Sequence, residues 1–162
     1  AGPLRESADK LAEVDFIITN RNHKLAPSAT SSSTTKPYQL AMHLNPTDLI
    51  HLQSGESIAV ASWQAQFQHR PIAALAGIGH PQRFFNSLKK LQIPMQKQLA
   101  FPDHHAFSAA DFSGIQEEII LMTEKDAIKC RDFADARFWF LKVRAEFSDS
   151  KFFDRVEQLI QN

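Results

Sequence analysis

The chain has 162 residues, 43% of them hydrophobic, and its eighteen basic and eighteen acidic side chains cancel. That length suits one domain with a real core, and the even charge balance disfavours a dedicated nucleic-acid binder, whose affinity comes mainly from phosphate neutralisation. Cys130 is the only cysteine, which excludes an intramolecular disulfide and fits a reducing compartment.

No apolar run approaches the roughly 20 residues of a membrane span, and the N-terminus does not read as a signal peptide. The chain opens without methionine on AGPLRESADKLAEV. Leu4, Leu11 and Val14 recur there near helical spacing, as in a cut through an ongoing α/β chain. Residues 14–20, VDFIITN, are apolar and β-branched enough for a short strand. The Ser/Thr-rich segment that follows, 27–37, cannot bury enough apolar area to offset its ordering entropy and predicts a flexible loop and a boundary. YQLAMHL (38–44) alternates as a half-exposed strand does, Gly55 marks a turn, and SIAVASW (57–63) reads as a second strand. Residues 38–63 are thus expected to form a small antiparallel ribbon.

The second half alternates strands and helices. IAALAGI (72–78) is a continuous apolar run, which suits a strand covered on both faces. Pro81 opens a helix with Phe84, Phe85, Leu88 and Leu91 on one face and Lys89 and Lys90 near its C-terminal end. Residues 95–101 read as a short strand, SAADFSGI as a helical turn, 117–123 as a core strand, TEKDAIKC as a helix and 137–143 as another strand. Ser148, Asp149 or Ser150 is expected to cap a last helix whose Phe152, Phe153, Val156, Leu159 and Ile160 share one stripe. The expected fold class is α/β: a mainly parallel open sheet with flanking helices, plus the small ribbon.

In such sheets ligands bind beyond the carboxyl ends of the strands. Three polar clusters fall there: GIGH (77–80), PDHH (102–105) and TEKD (123–126). Gly77 and Gly79 allow a tight turn and close approach of a ligand to a helix N-terminus, or simply join strand to helix. Asp103, His104 and His105 have donor chemistry for a metal, but adjacent residues in an extended segment point in opposite directions. The same triplet suits an imidazole that moves a proton near neutral pH with a carboxylate orienting it, or a hydrogen-bonded loop. TEKDAIK places Thr123 at a strand end and Lys125 and Asp126 in a turn, where Lys125 can meet a phosphate, or the segment supplies only helix capping and an exposed ion pair. Cys130 reads as packing, and Lys142 and Arg144 as a solvated strand face. The five glycines form no G-x-x-x-x-G-K-[ST] loop, and no G-x-S-x-G elbow is present.

Taken together and in order, AGPLRE, AGIGHPQRFF, FPDHHAFSAADF and LMTEKDAIKC resemble the C-terminal half of the tetraacyldisaccharide 4'-kinase family, the lipid A 4'-kinases of Gram-negative bacteria. The resemblance runs from residue 1 to about 145 and implies the C-terminal lobe of a two-lobe, P-loop-type kinase. Such an enzyme moves the ATP γ-phosphate, with Mg²⁺, onto the 4'-hydroxyl of a lipid A disaccharide 1-phosphate at the cytoplasmic face of the inner membrane. It implies a division into residues 1–26 (end of the N-terminal-lobe segment), 27–37 (loop), 38–70 (ribbon and linker) and 71–162 (C-terminal lobe).

Carried over residue by residue, His104 is the imidazole expected to work with a carboxylate of the other lobe, with Asp103 as its orienting neighbour and His105 as second choice. Arg5, in GPLRE, resembles a basic element that balances phosphate charge; Gly79, His80 and Lys125 are further substrate- or phosphate-binding candidates, and no metal-ligand set is assigned. The expected partners are the lipid A precursor and the N-terminal kinase lobe, with no nucleic acid and with peripheral membrane association through residues outside this chain. Without a Walker A loop, the fragment alone is expected to be inactive and to bind no cofactor of its own. A metal-dependent phosphoesterase of DHH type is the rival, although it needs an upstream D-x-D that this sequence lacks. A lipid- or partner-binding fragment without turnover is the third reading.

Overall fold

The computed structural model describes residues 7–20 and 37–161. The chain divides into two compact units, residues 1–45 with 144–162, and residues 46–143. Strands β2 (Tyr38–His51) and β7 (Phe138–Phe147) contribute residues to both.

The second unit is built on parallel strands in the order β7, β6 (Ile119–Thr123), β4 (Ile72–Ala76), β5 (Lys97–Ala100). Ala73 pairs with Lys97 on one side of β4, and Ile72 with Ile119 on the other; Ile120 pairs with Phe138 beyond. Every residue of β4 is buried, as expected for a strand covered on both faces. Side chains alternate across the sheet. Ile72, Ala74, Ala76, Ile119, Leu121, Trp139 and Leu141 face α1 (Val60–Phe67) and α2 (Pro81–Lys90) through Trp63, Phe67, Phe84, Phe85 and Leu88. Ala73, Leu75, Ile120, Met122 and Phe138 face Ala127 and Cys130 of α3 (Glu124–Cys130), together with Phe107, Phe112 and Ile115. The α/β class with a mainly parallel sheet and flanking helices is therefore the observed one. The antiparallel element is small: β3 (Ser57–Ala59) pairs with the end of β2, Leu49 opposite Ile58.

In the first unit β1 (Phe16–Asn20) lies parallel to the start of β2, Phe16 opposite Tyr38. Ala41 and Ser148 exchange two hydrogen bonds, the Ser148 N–H to the Ala41 carbonyl at 2.9 Å and the Ala41 N–H to Ser148 Oγ at 3.0 Å. The Phe152 ring of α4 (Phe152–Ile160) packs on Phe16 and Phe147, at 5.2 and 4.6 Å between centroids.

Three expectations need correction. SIAVASW is not one strand: extended structure stops at Ala59, and Val60 begins α1. Trp63 and Phe67 lie one helical turn apart, both buried with rings 5.1 Å apart, and this spacing rather than β-propensity sets the conformation. The stripe on α4 is only partly used, because Phe152 is buried while Phe153 and Ile160 are exposed. Its N-cap position is Lys151, without a side-chain cap; Asp149 instead accepts the Lys151 N–H at 2.9 Å. The helix-like start contains a short 3-10 turn, Ala8–Ala12, with Leu11 and Val14 exposed. Leu4 and the Ser/Thr segment up to residue 36 lie outside the described residues.

Candidate functional site

From β4 the chain passes through α2 to β5, then returns past β4 to add β6 on its other side. Helices α2 and α3 therefore leave the ends of neighbouring strands on opposite faces of the sheet. This reversal makes a topological switch point at the carboxyl ends of β4 and β6, the place where open α/β sheets bind their ligands. The three polar clusters meet at this edge of the sheet, all within the second unit.

The floor of the site is Asp126, whose side chain is fully buried. Its Oδ2 accepts the Gly77 N–H at 2.9 Å and the Thr123 hydroxyl at 2.7 Å. Thr123 is also the N-cap of α3, accepting the Asp126 N–H at 3.2 Å. Lys129 Nζ approaches Asp126 Oδ1 at 3.3 Å and lies 5.4 Å over the Phe107 ring. Gly77 sits where space is tight. A β-carbon would come within 3.0 Å of the Phe107 ring and 3.3 Å of Asp126 Oδ1. Its N–H is bonded within the protein, so Gly77 joins two strand ends instead of offering that donor to a ligand.

Above this floor sits the loop after β5. Asp103 Oδ1 accepts from Lys125 Nζ and from the His104 N–H, both at 3.0 Å, and Oδ2 stands 3.7 Å from His104 Nε2. The Lys125 hydrogen bond, with the nearby His104 and Lys125 charges and the His104 N–H, holds the Asp103 carboxyl below its ordinary range. His104 adopts φ +61°, the left-handed region that non-glycine residues seldom enter, and its side chain is 80% exposed. His105 turns the other way. Its ring lies 4.8 Å from both Phe101 and Phe107, with Nε2 3.3 Å from Asp111 Oδ1. Asp111 in turn closes a capping box with Ser108, and the Ser108 N–H is the main cause of its lowered carboxyl pKa. Of the two imidazoles, His104 is presented to solvent and His105 is packing.

The remaining candidates separate by position. Gly79 lies beside the loop, where an added β-carbon would stand 3.5 Å from Asp103 Oδ2, an ordinary contact. His80 is the exposed N-cap residue of α2; its side chain makes no cap bond, and its carbonyl accepts the Arg83 N–H at 3.1 Å. Arg5 lies outside the described residues. Cys130 is buried, and burial first, then the Asp126 charge, pushes its thiol up to about 12, so it stays protonated at neutral pH. Among the described residues no group of three or more His, Cys, Asp or Glu side chains is placed to hold a metal ion. Phe107 and Lys129 are not singled out by the sequence, and the place of Asp126 in a turn that opens a helix gives no sign of its burial.

The model of the tetraacyldisaccharide-1-P 4'-kinase family matches residues 1–161. The chain is 38% identical to the tetraacyldisaccharide 4'-kinase of Vibrio cholerae serotype O1, over 99% of this chain and 44% of that protein. It is 42% identical to that of Bordetella parapertussis, over 95% and 44%, and 40% identical to that of Histophilus somni, over 99% and 43%. The fold resembles the crystal structure of LpxK from Aquifex aeolicus in complex with ATP, with TM-score 0.66 and 22% identity across 98% of this chain and 45% of that one. The chain thus spans less than half the length of the curated relatives it matches, and it belongs to the tetraacyldisaccharide-1-P 4'-kinase family.

Proposed function

We propose that this chain is the C-terminal part of a lipid A disaccharide 4'-kinase, which transfers the ATP γ-phosphate to the 4'-hydroxyl of tetraacyldisaccharide 1-phosphate. The observation that carries the reading is the family match across residues 1–161. The exposed His104, held beside a carboxylate at the switch point of the sheet, supports it.

A sugar hydroxyl is a weak nucleophile, and its proton must leave as its oxygen bonds to phosphorus and the bond from phosphorus to ADP breaks. In this reading the His104 imidazole receives or relays that proton, working with a carboxylate from the N-terminal part of the enzyme. Asp103 fixes the loop through its bonds to the His104 N–H and to Lys125. Lys125, Gly79, His80 and Arg5 remain candidates for contact with phosphate groups. ATP binding is assigned to the part of the enzyme outside this chain, since these 162 residues contain no Walker A loop. Mg²⁺ would enter with the nucleotide, and no step is assigned to it among these side chains. In this reading the enzyme works at the cytoplasmic face of the inner membrane, and residues 1–162 alone are expected not to consume ATP.

The test joins this chain to the N-terminal part of a relative and measures ATP-dependent phosphorylation of the disaccharide acceptor. Turnover by the joined protein and none by residues 1–162 is the expected result. A joined protein that folds, binds ATP and leaves the acceptor unphosphorylated would overturn the reading.

A further inference from the structure

Helix α3 grips the loop carrying His104 from both sides. Lys125 Nζ holds the Asp103 side chain at 3.0 Å. One helical turn later, Lys129 Nζ reaches the His105 carbonyl at 3.3 Å. Residues four apart lie on the same face of a helix, so two lysines of one helix bracket the single residue between them. That residue is His104, held at φ +61°, a conformation that persists only where the surroundings impose it.

Lys129 is itself anchored. It stands against Asp126, the fully buried carboxylate that also takes the Gly77 N–H and the Thr123 hydroxyl. A buried carboxylate paired with a half-buried ammonium is a poor device for stability, because desolvation offsets much of their attraction. Here they connect three strand ends: β4 through Gly77, β6 through Thr123, and β5 through the His105 carbonyl. We infer that Asp126 and Lys129 are positioning residues, which lock the backbone after His104 to the sheet and so fix where its imidazole is presented. The inference rests on the kinase reading for its effect on turnover, but the locking of the loop stands on the geometry alone.

The experiment has two arms. Removing one charge would strand the other, so the principal variant is the double one, Asp126→Asn with Lys129→Met, which keeps the site neutral and filled. Lys129→Met alone and Lys129→Arg accompany it, so that a double variant too unstable to purify still leaves a decisive comparison. In residues 1–162, amide hydrogen exchange of residues 103–107 is expected to accelerate about tenfold or more in the Met-containing variants, without a like change in β4 and β6. Lys129→Arg should restore slow exchange. In the joined enzyme kcat should fall by about 10- to 100-fold with the KM for ATP unchanged, since misplacing a reacting group by about 1 Å costs that order of rate. Unchanged exchange at 103–107 overturns the inference whatever happens to turnover. Faster exchange with unchanged kcat, in an enzyme where His104→Ala does lower kcat, overturns the positioning role. If His104→Ala leaves kcat unaltered, the kinase assignment of His104 fails by itself, and the exchange arm still decides the locking.

Discussion

Two carboxylate–lysine pairs draw their lysines from the same helix, α3, and serve opposite ends. Asp126 is drawn into the sheet, fully buried, with Oδ2 taken by Gly77 and Thr123 from the ends of two strands and Oδ1 by the half-buried Lys129 of its own helix. Asp103 and Lys125 stand in water, each about half exposed, and hold a loop whose next residue faces outward. Exposed pairs contribute little to stability, whereas a buried carboxylate stripped of partners is costly. The inner pair therefore holds the architecture, and the outer pair is free to present chemistry. The same split separates the adjacent histidines, His105 between two phenylalanine rings and His104 in solvent.

The comparison breaks most readily at its inner member. Asp126→Ala strands the Gly77 N–H and the Lys129 ammonium, and should cost about 3 kcal/mol, roughly 6–12 °C in Tm for a chain of this size. A melting temperature within a degree or two of wild type would deny Asp126 its role. Gly77→Ala comes next: its methyl would meet the Phe107 ring, and overpacking of this kind costs about 1–3 kcal/mol, read by chemical denaturation. Smaller still is the strain at His104. His104→Gly should be more stable than His104→Ala by about 0.5–1 kcal/mol, since only glycine enters the left-handed region freely. The reverse order would mean that the loop relaxes.

The outer pair is sharpened by pH. Because Lys125 and its neighbours lower the Asp103 pKa in the folded state, their favourable contribution is fully present above the ordinary value of 3.8. It is lost as pH falls through the lower folded value. Followed by NMR at the Asp103 carboxyl carbon, Lys125→Met should move the midpoint upward, toward the ordinary carboxylate range. An unmoved midpoint would mean that Lys125 is not the partner.

Much of this was legible in the chain itself, for identifiable reasons. IAALA is too uniformly apolar to be anything but a covered strand, and Pro81 followed by paired phenylalanines marks α2. PDHH stood out because three functional side chains are rare side by side. What stayed hidden was tertiary. Asp126 looks like any acidic residue in a first helical turn, and its burial comes from Gly77 and Phe107, brought in by other elements. Helix α1 was obscured because its first residues are β-branched or small, and its helical period appears only when Phe67 is set beside Trp63. Which histidine turns outward depends on Phe101 and Phe107 closing around His105, a packing choice that alternation along the chain cannot make.

The division of labour between neighbouring imidazoles is tested most directly by the kcat of the joined enzyme carrying His104→Ala, set beside His105→Phe. Loss of a positioned proton-transfer group should lower turnover by about 10²- to 10⁴-fold in the first, with Tm unchanged. The second should keep kcat within a few-fold, because a phenyl ring still fills the space between Phe101 and Phe107. Undiminished turnover in His104→Ala, or an equal loss in both, would contradict the account.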